Sequence, residues 1–122
     1  MPNPTRLLIV EDEAITAMLL HQQMTAAGYD VAPPQATALA ALEAARSRRF
    51  DVVLMDIHLP GETDGIDAAK EIAAICDVRV IFMTGYADDE TRSRAAALAP
   101  AGYLVKPVST EAVIRIIESS RA

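Results

Sequence analysis

Cysteine, positive charge and long apolar runs are all scarce in this sequence, and each shortage excludes a class of structure. The 122 residues include one cysteine, Cys76, so an internal disulfide is excluded and a reducing compartment fits. The net charge is −6, so we expect the surface to repel nucleic acids and anionic membranes and the partners to be proteins. No apolar run approaches the roughly 20 residues that span a bilayer.

The start of the chain lacks the apolar segment of a signal peptide. Residues 1–6 are polar, and the apolar stretch that follows has only four residues before two acids. We therefore expect a cytoplasmic location. A length of 122 residues with 52% hydrophobic and 23% charged residues predicts one globular domain, residues 1–122, with a single core.

Four short apolar runs of the sequence each end on a polar side chain. The residues at these ends are, in chain order, the pair Glu11 and Asp12, then Asp56, Thr84 and Lys106. Because the carboxyl ends of parallel strands meet at one edge of an open α/β sheet, where such sheets do their chemistry, we expect these groups to share a pocket. The run at 52–55 reads as a strand buried on both faces, and we interpret Asp56, directly after it, as the centre of that pocket.

Helical patterns separate the apolar runs, so that five strands alternate with five helices. We predict strands at 6–10, 29–32, 52–55, 78–83 and 102–105, and helices at 13–27, 37–46, 66–76, 88–98 and from Ser109 onward. This alternation predicts an α/β fold with a parallel sheet covered on both faces. We expect the flavodoxin-like (βα)5 three-layer sandwich with strand order 2-1-3-4-5, because it places strands one and three side by side.

The spacing of large apolar residues predicts which helix faces are buried. We assign to the core Ile15, Met18 and Leu19 in the first helix, Leu39 and Leu42 in the second, and Val113, Ile114 and Ile117 in the last. Cys76 shares a stripe with Ala69, Ile72 and Ala73, so we interpret it as a buried small hydrophobe. The fourth helix has Leu98 as its only large apolar residue, which predicts weak packing.

The predicted pocket holds the groups that a metal-assisted phosphoryl reaction needs. Three carboxylates at one edge repel one another unless a cation neutralises them, and Mg²⁺ prefers oxygen ligands. Lys106 adds a fixed positive charge, and the Thr84 hydroxyl can bond a phosphoryl oxygen. Each residue alone would be typical of a turn or cap, but together they predict that Asp56 is a nucleophile that forms an aspartyl phosphate.

Four segments of the sequence resemble the receiver domain of two-component response regulators. They are residues 8–13, 54–60, 84–85 and 103–107, and the likeness extends over the whole chain. The resemblance implies that Asp56 accepts phosphate from a histidine kinase or histidine phosphotransfer protein. It also implies a downstream protein partner or second receiver that responds to the phosphorylated state.

The same resemblance assigns further roles to residues of the pocket. Asp12, Asp56 and the backbone carbonyl of His58 would coordinate Mg²⁺, with Glu11 helping through water. Thr84 and Tyr103 would form the switch pair, and Lys106 would bind the phosphoryl oxygens. A cis Lys106–Pro107 peptide would aim the Lys106 amine at Asp56.

From charge and packing we predict how the pocket communicates with the surface. A phosphoryl group should draw the Thr84 hydroxyl inward, and Tyr103 should turn from an exposed to a buried position. We expect the kinase to dock near the first helix, and phosphate-dependent partners to use the face formed by the last two helices and the last strand.

Residues 82–86 resemble a signature of one receiver subgroup, Phe-Ala-Thr-Gly-hydrophobic-Tyr. This subgroup is often stand-alone and is associated with a divergent class of histidine kinases. Two positions differ, because Met83 replaces the alanine and Ala87 stands where the final tyrosine would be.

Three other functions compete with the receiver interpretation. A magnesium-dependent phosphatase of the haloacid dehalogenase type places a second aspartate two residues after its nucleophile, where this chain has His58. A flavin carrier needs a phosphate-cradling loop after the first strand, where residues 11–13 are all acidic. An adaptor that works without phosphate has no need of the pocket residues. The sequence names neither kinase nor output, and fits both a stand-alone receiver and one domain of a larger regulator.

Overall fold

Strands and helices alternate along the chain in the computed structural model, which describes residues 3–86 and 88–120. The strands are β1 (Arg6–Val10), β2 (Asp30–Val31), β3 (Val52–Asp56), β4 (Arg79–Thr84) and β5 (Gly102–Val105). The helices are α1 (Ala14–Ala26), α2 (Ala38–Ser47), α3 (Gly65–Ile75), α4 (Asp89–Ala96) and α5 (Thr110–Ser119). All strand pairs are parallel and the sheet order is β2-β1-β3-β4-β5, so the predicted flavodoxin-like α/β fold is confirmed.

Capping side chains fix where four of the five helices begin. Thr37, Asp64, Asp88 and Ser109 each accept a hydrogen bond from the backbone N–H three residues later, which satisfies a donor that the first helical turn leaves free. Three of these helices follow strands β3, β4 and β5 directly in the chain. Their capped starts therefore fix the loops that carry the site.

The sheet separates two apolar clusters, because alternate strand residues point to opposite faces. On one face, Leu8, Val53 and Phe82 pack with residues of α2 and α3. On the other, Leu7, Leu54 and Ile81 pack with residues of α1 and α5. The central strands are thus buried on both sides, which explains their nearly continuous apolar sequences.

The predicted buried face of α1 is wrong. Ile15, Met18 and Leu19 are 78%, 55% and 51% exposed, and the helix instead buries Ala17, Leu20 and Met24. Large apolar residues lie on all sides of this helix, so their spacing does not identify the face that meets the sheet.

Corrections of the same kind apply to α2 and α3. Leu39 is 67% exposed, because α2 turns its alanines toward the sheet. Leu42 packs against the core but is only half-buried. Cys76 is half-buried just after α3, where its thiol donates to the Ile72 carbonyl and burial raises the thiol pKa. A small side chain can approach a sheet more closely than a large one, a feature that hydrophobicity patterns do not detect.

The fourth helix is the least anchored of the five. Ala95 is its single buried residue, and Leu98 lies beyond the helix, half-buried against the α2 and α3 side of the core. Weak packing of this helix was expected, but its anchor is Ala95 rather than Leu98 alone. Ala87, one of the two subgroup positions, lies outside the described residues. Within the described residues, no helix has the length and apolar character needed to cross a bilayer.

Candidate functional site

Polar groups from four strands meet at the carboxyl edge of the sheet. The strand register places Asp56 beside Met83, and Thr84 beside Val105. The backbone N–H of Lys106 donates to the Thr84 carbonyl at 2.7 Å, so Lys106 lies beside the end of β4. Glu11 comes directly after β1, which pairs with β3. The sheet order predicted from the sequence therefore brings these residues to one edge.

A lysine joins two buried carboxylates at the centre of this edge. Lys106 Nζ lies 2.6 Å from Glu11 Oε1 and 3.1 Å from Asp56 Oδ2. Glu11 and Asp56 are only 1% and 2% exposed. Burial lowers the pKa of Lys106, but hydrogen bonds and charge interactions with Glu11 and Asp56 outweigh it, so its pKa is raised. The side chain therefore stays an ammonium ion throughout the neutral range.

Three carboxylates of the site are arranged to share a cation. One oxygen from each of Glu11, Asp12 and Asp56 lies within 4.8 Å of the others. Lys106 supplies one positive charge against these three negative ones. An all-oxygen donor set with excess negative charge fits a hard divalent ion such as Mg²⁺.

Backbone contacts hold Asp56 in place. Its Oδ1 accepts a hydrogen bond from the His58 backbone N–H at 3.0 Å, and the Ile57 N–H donates to the Met83 carbonyl. Gly65 at the start of α3 donates to the Ile57 carbonyl at 2.8 Å. A β-carbon on Gly65 would fall 1.9 Å from the Asp56 carbonyl oxygen, so only glycine fits there. The sequence analysis missed this role, because a close backbone approach is visible only in three dimensions.

The Thr84 hydroxyl, at the end of β4, has three hydrogen-bond partners. It donates to the Tyr86 carbonyl at 2.8 Å and accepts from the Tyr86 N–H at 3.1 Å. The third partner is His58, whose ring Nε2 lies 3.1 Å away. The sequence analysis gave His58 only a backbone role, and no motif or spacing points to this contact of its ring.

Tyr103 already packs against the core in this structure. Its ring is half-buried on the α2 and α3 side of the sheet, and its hydroxyl is buried with no hydrogen-bond partner among the described residues. The Arg92 guanidinium of α4 lies 5.2 Å from the ring centroid. The expectation of an exposed resting ring is therefore wrong. The last predicted feature of the site, the Lys106–Pro107 peptide, is cis.

A family model agrees with this arrangement of fold and pocket. The model for the response regulator receiver domain matches residues 7–118. The chain belongs to this receiver family. The pocket is consistent with phosphoryl acceptance, the role of a receiver in a two-component system, and the family binds Mg²⁺ at such an acidic pocket.

Individual proteins support the same assignment. The transcriptional regulatory protein PdtaR of Mycobacterium tuberculosis is 36% identical over 94% of this receiver and 56% of its own length. The chain thus spans about half of that relative. The receiver domain of a modulated diguanylate cyclase from Desulfovibrio desulfuricans is 38% identical, with a TM-score of 0.89 over 96% of this chain and 93% of that one.

A third relative was solved in a phosphorylated form. It is a response regulator from Burkholderia pseudomallei with a phosphorylated aspartic acid, a calcium ion and citrate. It is 26% identical to this receiver, with a TM-score of 0.84 over 92% of this chain and 65% of that one.

Proposed function

We propose that this receiver accepts a phosphoryl group on Asp56 from the phosphohistidine of a histidine kinase or histidine phosphotransfer protein. The observation that carries the proposal is the 3.1 Å contact between Lys106 Nζ and Asp56 Oδ2 at a buried strand end. The ammonium ion lies directly beside the carboxylate oxygens that would attack phosphorus. It is also placed to stabilise the oxygens of a phosphoryl group bound there.

The chain contributes position and charge to this reaction. An oxygen of Asp56 attacks phosphorus while the P–N bond of the phosphohistidine breaks, and the leaving imidazole keeps the bonding electrons and takes up a proton. Lys106 stabilises the phosphoryl charge, and Thr84 can turn its hydroxyl to donate to a phosphoryl oxygen. Water later hydrolyses the acyl phosphate, so the receiver catalyses its own phosphorylation and dephosphorylation but turns over no metabolite.

Four groups at the site are assigned to Mg²⁺ in this proposal. The carboxylates of Asp12 and Asp56 and the backbone carbonyl of His58 would hold the ion, with Glu11 helping through water. The three carboxylates lie close together, and their charge and donor type fit the ion. When bound, the ion would offset the charge of the carboxylates and of the phosphoryl oxygens.

Intact-mass spectrometry after incubation with acetyl phosphate and Mg²⁺ tests the proposal. We expect the mass of one phosphoryl group on the wild-type chain and none on Asp56→Asn. Asp51→Asn is the matched control, because Asp51 is a half-exposed acid paired with Arg6 at the opposite edge of the sheet. Equal incorporation by the wild type and Asp56→Asn, or phosphate on a serine or histidine, would refute it.

The exposed apolar face of α1 is the proposed docking surface for the phosphodonor protein. The side chains of Ile15, Met18 and Leu19 are exposed on this face, and α1 begins two residues after Asp12. A groove of about 330 Å³ beside Asp12, lined by Met18 and Gln35 among others, extends this surface toward the β2–α2 connection. A donor bound there would reach the pocket directly.

Thr84 and Tyr103 are the proposed switch pair. They lie on neighbouring strands and on the α4 side of the sheet, so a change at the Thr84 hydroxyl can alter the packing of Tyr103 and α4. Since the Tyr103 ring is already inward, phosphorylation would hold it there. The altered face of α4, β5 and α5 would bind a downstream protein or a second receiver.

We assign residues 1–122 to one receiver domain that works in the cytoplasm through protein partners. The subgroup likeness of residues 82–86 stays a prediction.

A further inference from the structure

The Thr84 hydroxyl has no hydrogen-bonding capacity left over. A hydroxyl offers one proton and two lone pairs. In this structure the proton goes to the Tyr86 carbonyl, and one lone pair accepts from the Tyr86 N–H. The second lone pair is therefore what faces His58 Nε2 at 3.1 Å. We assign the donor role to His58 Nε2, because the hydroxyl proton already faces the Tyr86 carbonyl. This assignment corresponds to the Nε2–H tautomer of the ring.

His58 also contacts the acceptor residue. Its backbone N–H donates to Asp56 Oδ1 at 3.0 Å, while its ring reaches Thr84 on the neighbouring strand. One residue thus connects the phosphoacceptor with the hydroxyl assigned to the switch. Thr84 is fully buried, so the contact lies away from bulk solvent.

We propose that the His58 side chain is a positioning residue that holds Thr84 in its unphosphorylated arrangement and so opposes the switch. The inference rests on the proposed function. To bond a phosphoryl oxygen, Thr84 must redirect its proton away from the Tyr86 carbonyl. In the proposed switch, this rotation of the hydroxyl breaks its bond with His58. The His58–Thr84 bond is therefore made in one state and lost in the other.

A bond present only in the resting state reduces the population that can respond. The apparent affinity for a phosphoryl mimic falls by the fraction of molecules in the competent arrangement. One hydrogen bond of ordinary strength corresponds to about a two- to tenfold effect on such an equilibrium. The bond therefore lowers the sensitivity of the receiver without blocking phosphorylation.

Two substitutions at His58 separate this role from a general structural one. His58→Phe keeps a ring of similar size but removes the donor, and His58→Gln restores an N–H donor of similar reach. We would measure binding of beryllofluoride to Asp56 by titration calorimetry, at Mg²⁺ concentrations saturating for each variant. The expected result is about two- to tenfold tighter binding by His58→Phe, with His58→Gln close to the wild type.

Equal or weaker binding by His58→Phe would overturn the proposal, and weaker binding would show that the ring assists the phosphoryl group instead. A second measurement needs neither metal nor phosphoryl mimic. Long-range ¹H–¹⁵N correlation spectra of the metal-free wild type should show a proton on His58 Nε2, whereas the Nδ1–H tautomer would exclude the donor role. A wild-type chain that fails to bind beryllofluoride would refute the proposed function, and the tautomer would still decide the His58–Thr84 contact.

Discussion

At the residue scale, Gly65 is the tightest constraint on the phosphoacceptor. The start of α3 passes so close to the Asp56 backbone that an added β-carbon would lie 1.9 Å from a carbonyl oxygen. Because the obstacle is backbone, it cannot move aside as a flexible side chain could. Asp56 and the first turn of α3 are therefore held together as one unit.

We predict that Gly65→Ala destabilises the fold by about 1–3 kcal/mol or more, since overpacking forces the backbone apart. Urea unfolding followed by circular dichroism measures the effect. Gly85→Ala is the matched control, because a β-carbon at Gly85 meets nothing within 4 Å. Equal unfolding midpoints for the two variants would contradict the close approach.

Residue identity alone predicted the strand ends better than it predicted their contacts. Glu11, Asp56 and Lys106 could be placed together because buried parallel strands leave a clear apolar signal and end at one edge. The ring contact of His58 could not be predicted, since a histidine two residues after the acceptor can point in several directions. Its direction depends on Thr84, which lies 26 positions away in the chain.

At the element scale, α1 shows that large apolar side chains do not always identify the buried face. Leu19 and Leu20 are neighbours in sequence, but Leu19 is 51% exposed and Leu20 only 4%. The helix orientation is set by the fit of Ala17, Leu20 and Met24 against the sheet. Hydrophobic spacing identified the helix but not this orientation.

We predict that Leu20→Ala lowers the free energy of unfolding by about 2–5 kcal/mol, because it leaves a cavity in the core. Leu19→Ala makes the same chemical change at an exposed position and should cost at most about 0.5 kcal/mol. Chemical denaturation of both variants gives the comparison. A larger loss for Leu19→Ala would restore the face that the sequence analysis chose.

The fourth helix should be the element that responds most to phosphorylation. Ala95 is its one buried residue, and its other ties are surface contacts such as the Arg94–Asp64 ion pair at 2.9 Å. Ion pairs of this kind contribute about 0–1 kcal/mol, so local opening should be easy. The α5 helix, in contrast, buries Val113 and Ile117 completely.

We predict that beryllofluoride changes amide hydrogen exchange most within residues 88–103. Exchange would be followed by mass spectrometry with and without the mimic, and Asp56→Asn provides the control for effects unrelated to the site. A change confined to α1 and α2 would show that the response does not run through α4.

At the scale of the whole molecule, the proposed docking surface on α1 and the weakly packed helix α4 lie on opposite faces of the sheet. The apolar residues of α1 border Asp12, whereas α4 packs on the other face of the sheet with α2 and α3. An acidic chain of net charge −6 with an exposed apolar patch is suited to protein contacts.

We predict that Ile15→Ser with Leu19→Ser slows phosphotransfer from a histidine-containing donor protein by about tenfold or more, because apolar contact area is lost. Phosphorylation by acetyl phosphate, which needs no docking, should be unchanged. Leu39→Ser is the control, since Leu39 is 67% exposed but belongs to α2 on the opposite face. Radiolabel transfer measures the rates, and equal slowing by Leu39→Ser would argue against a specific site on α1.

The proposed phosphoacceptor site and the proposed switch residue Thr84 follow side chains that face opposite sides of the sheet. Glu11, Asp56 and Lys106 continue the alternation of Ile9, Leu54 and Leu104, whose side chains face α1 and α5, whereas Thr84 continues that of Phe82 toward α2 and α3. In the proposed function, the phosphoryl chemistry and the switch residue would therefore meet at this edge of the sheet and not through its apolar interior. Substitutions that repack either core should then leave the signal unchanged, as long as the few polar residues at this edge keep their places.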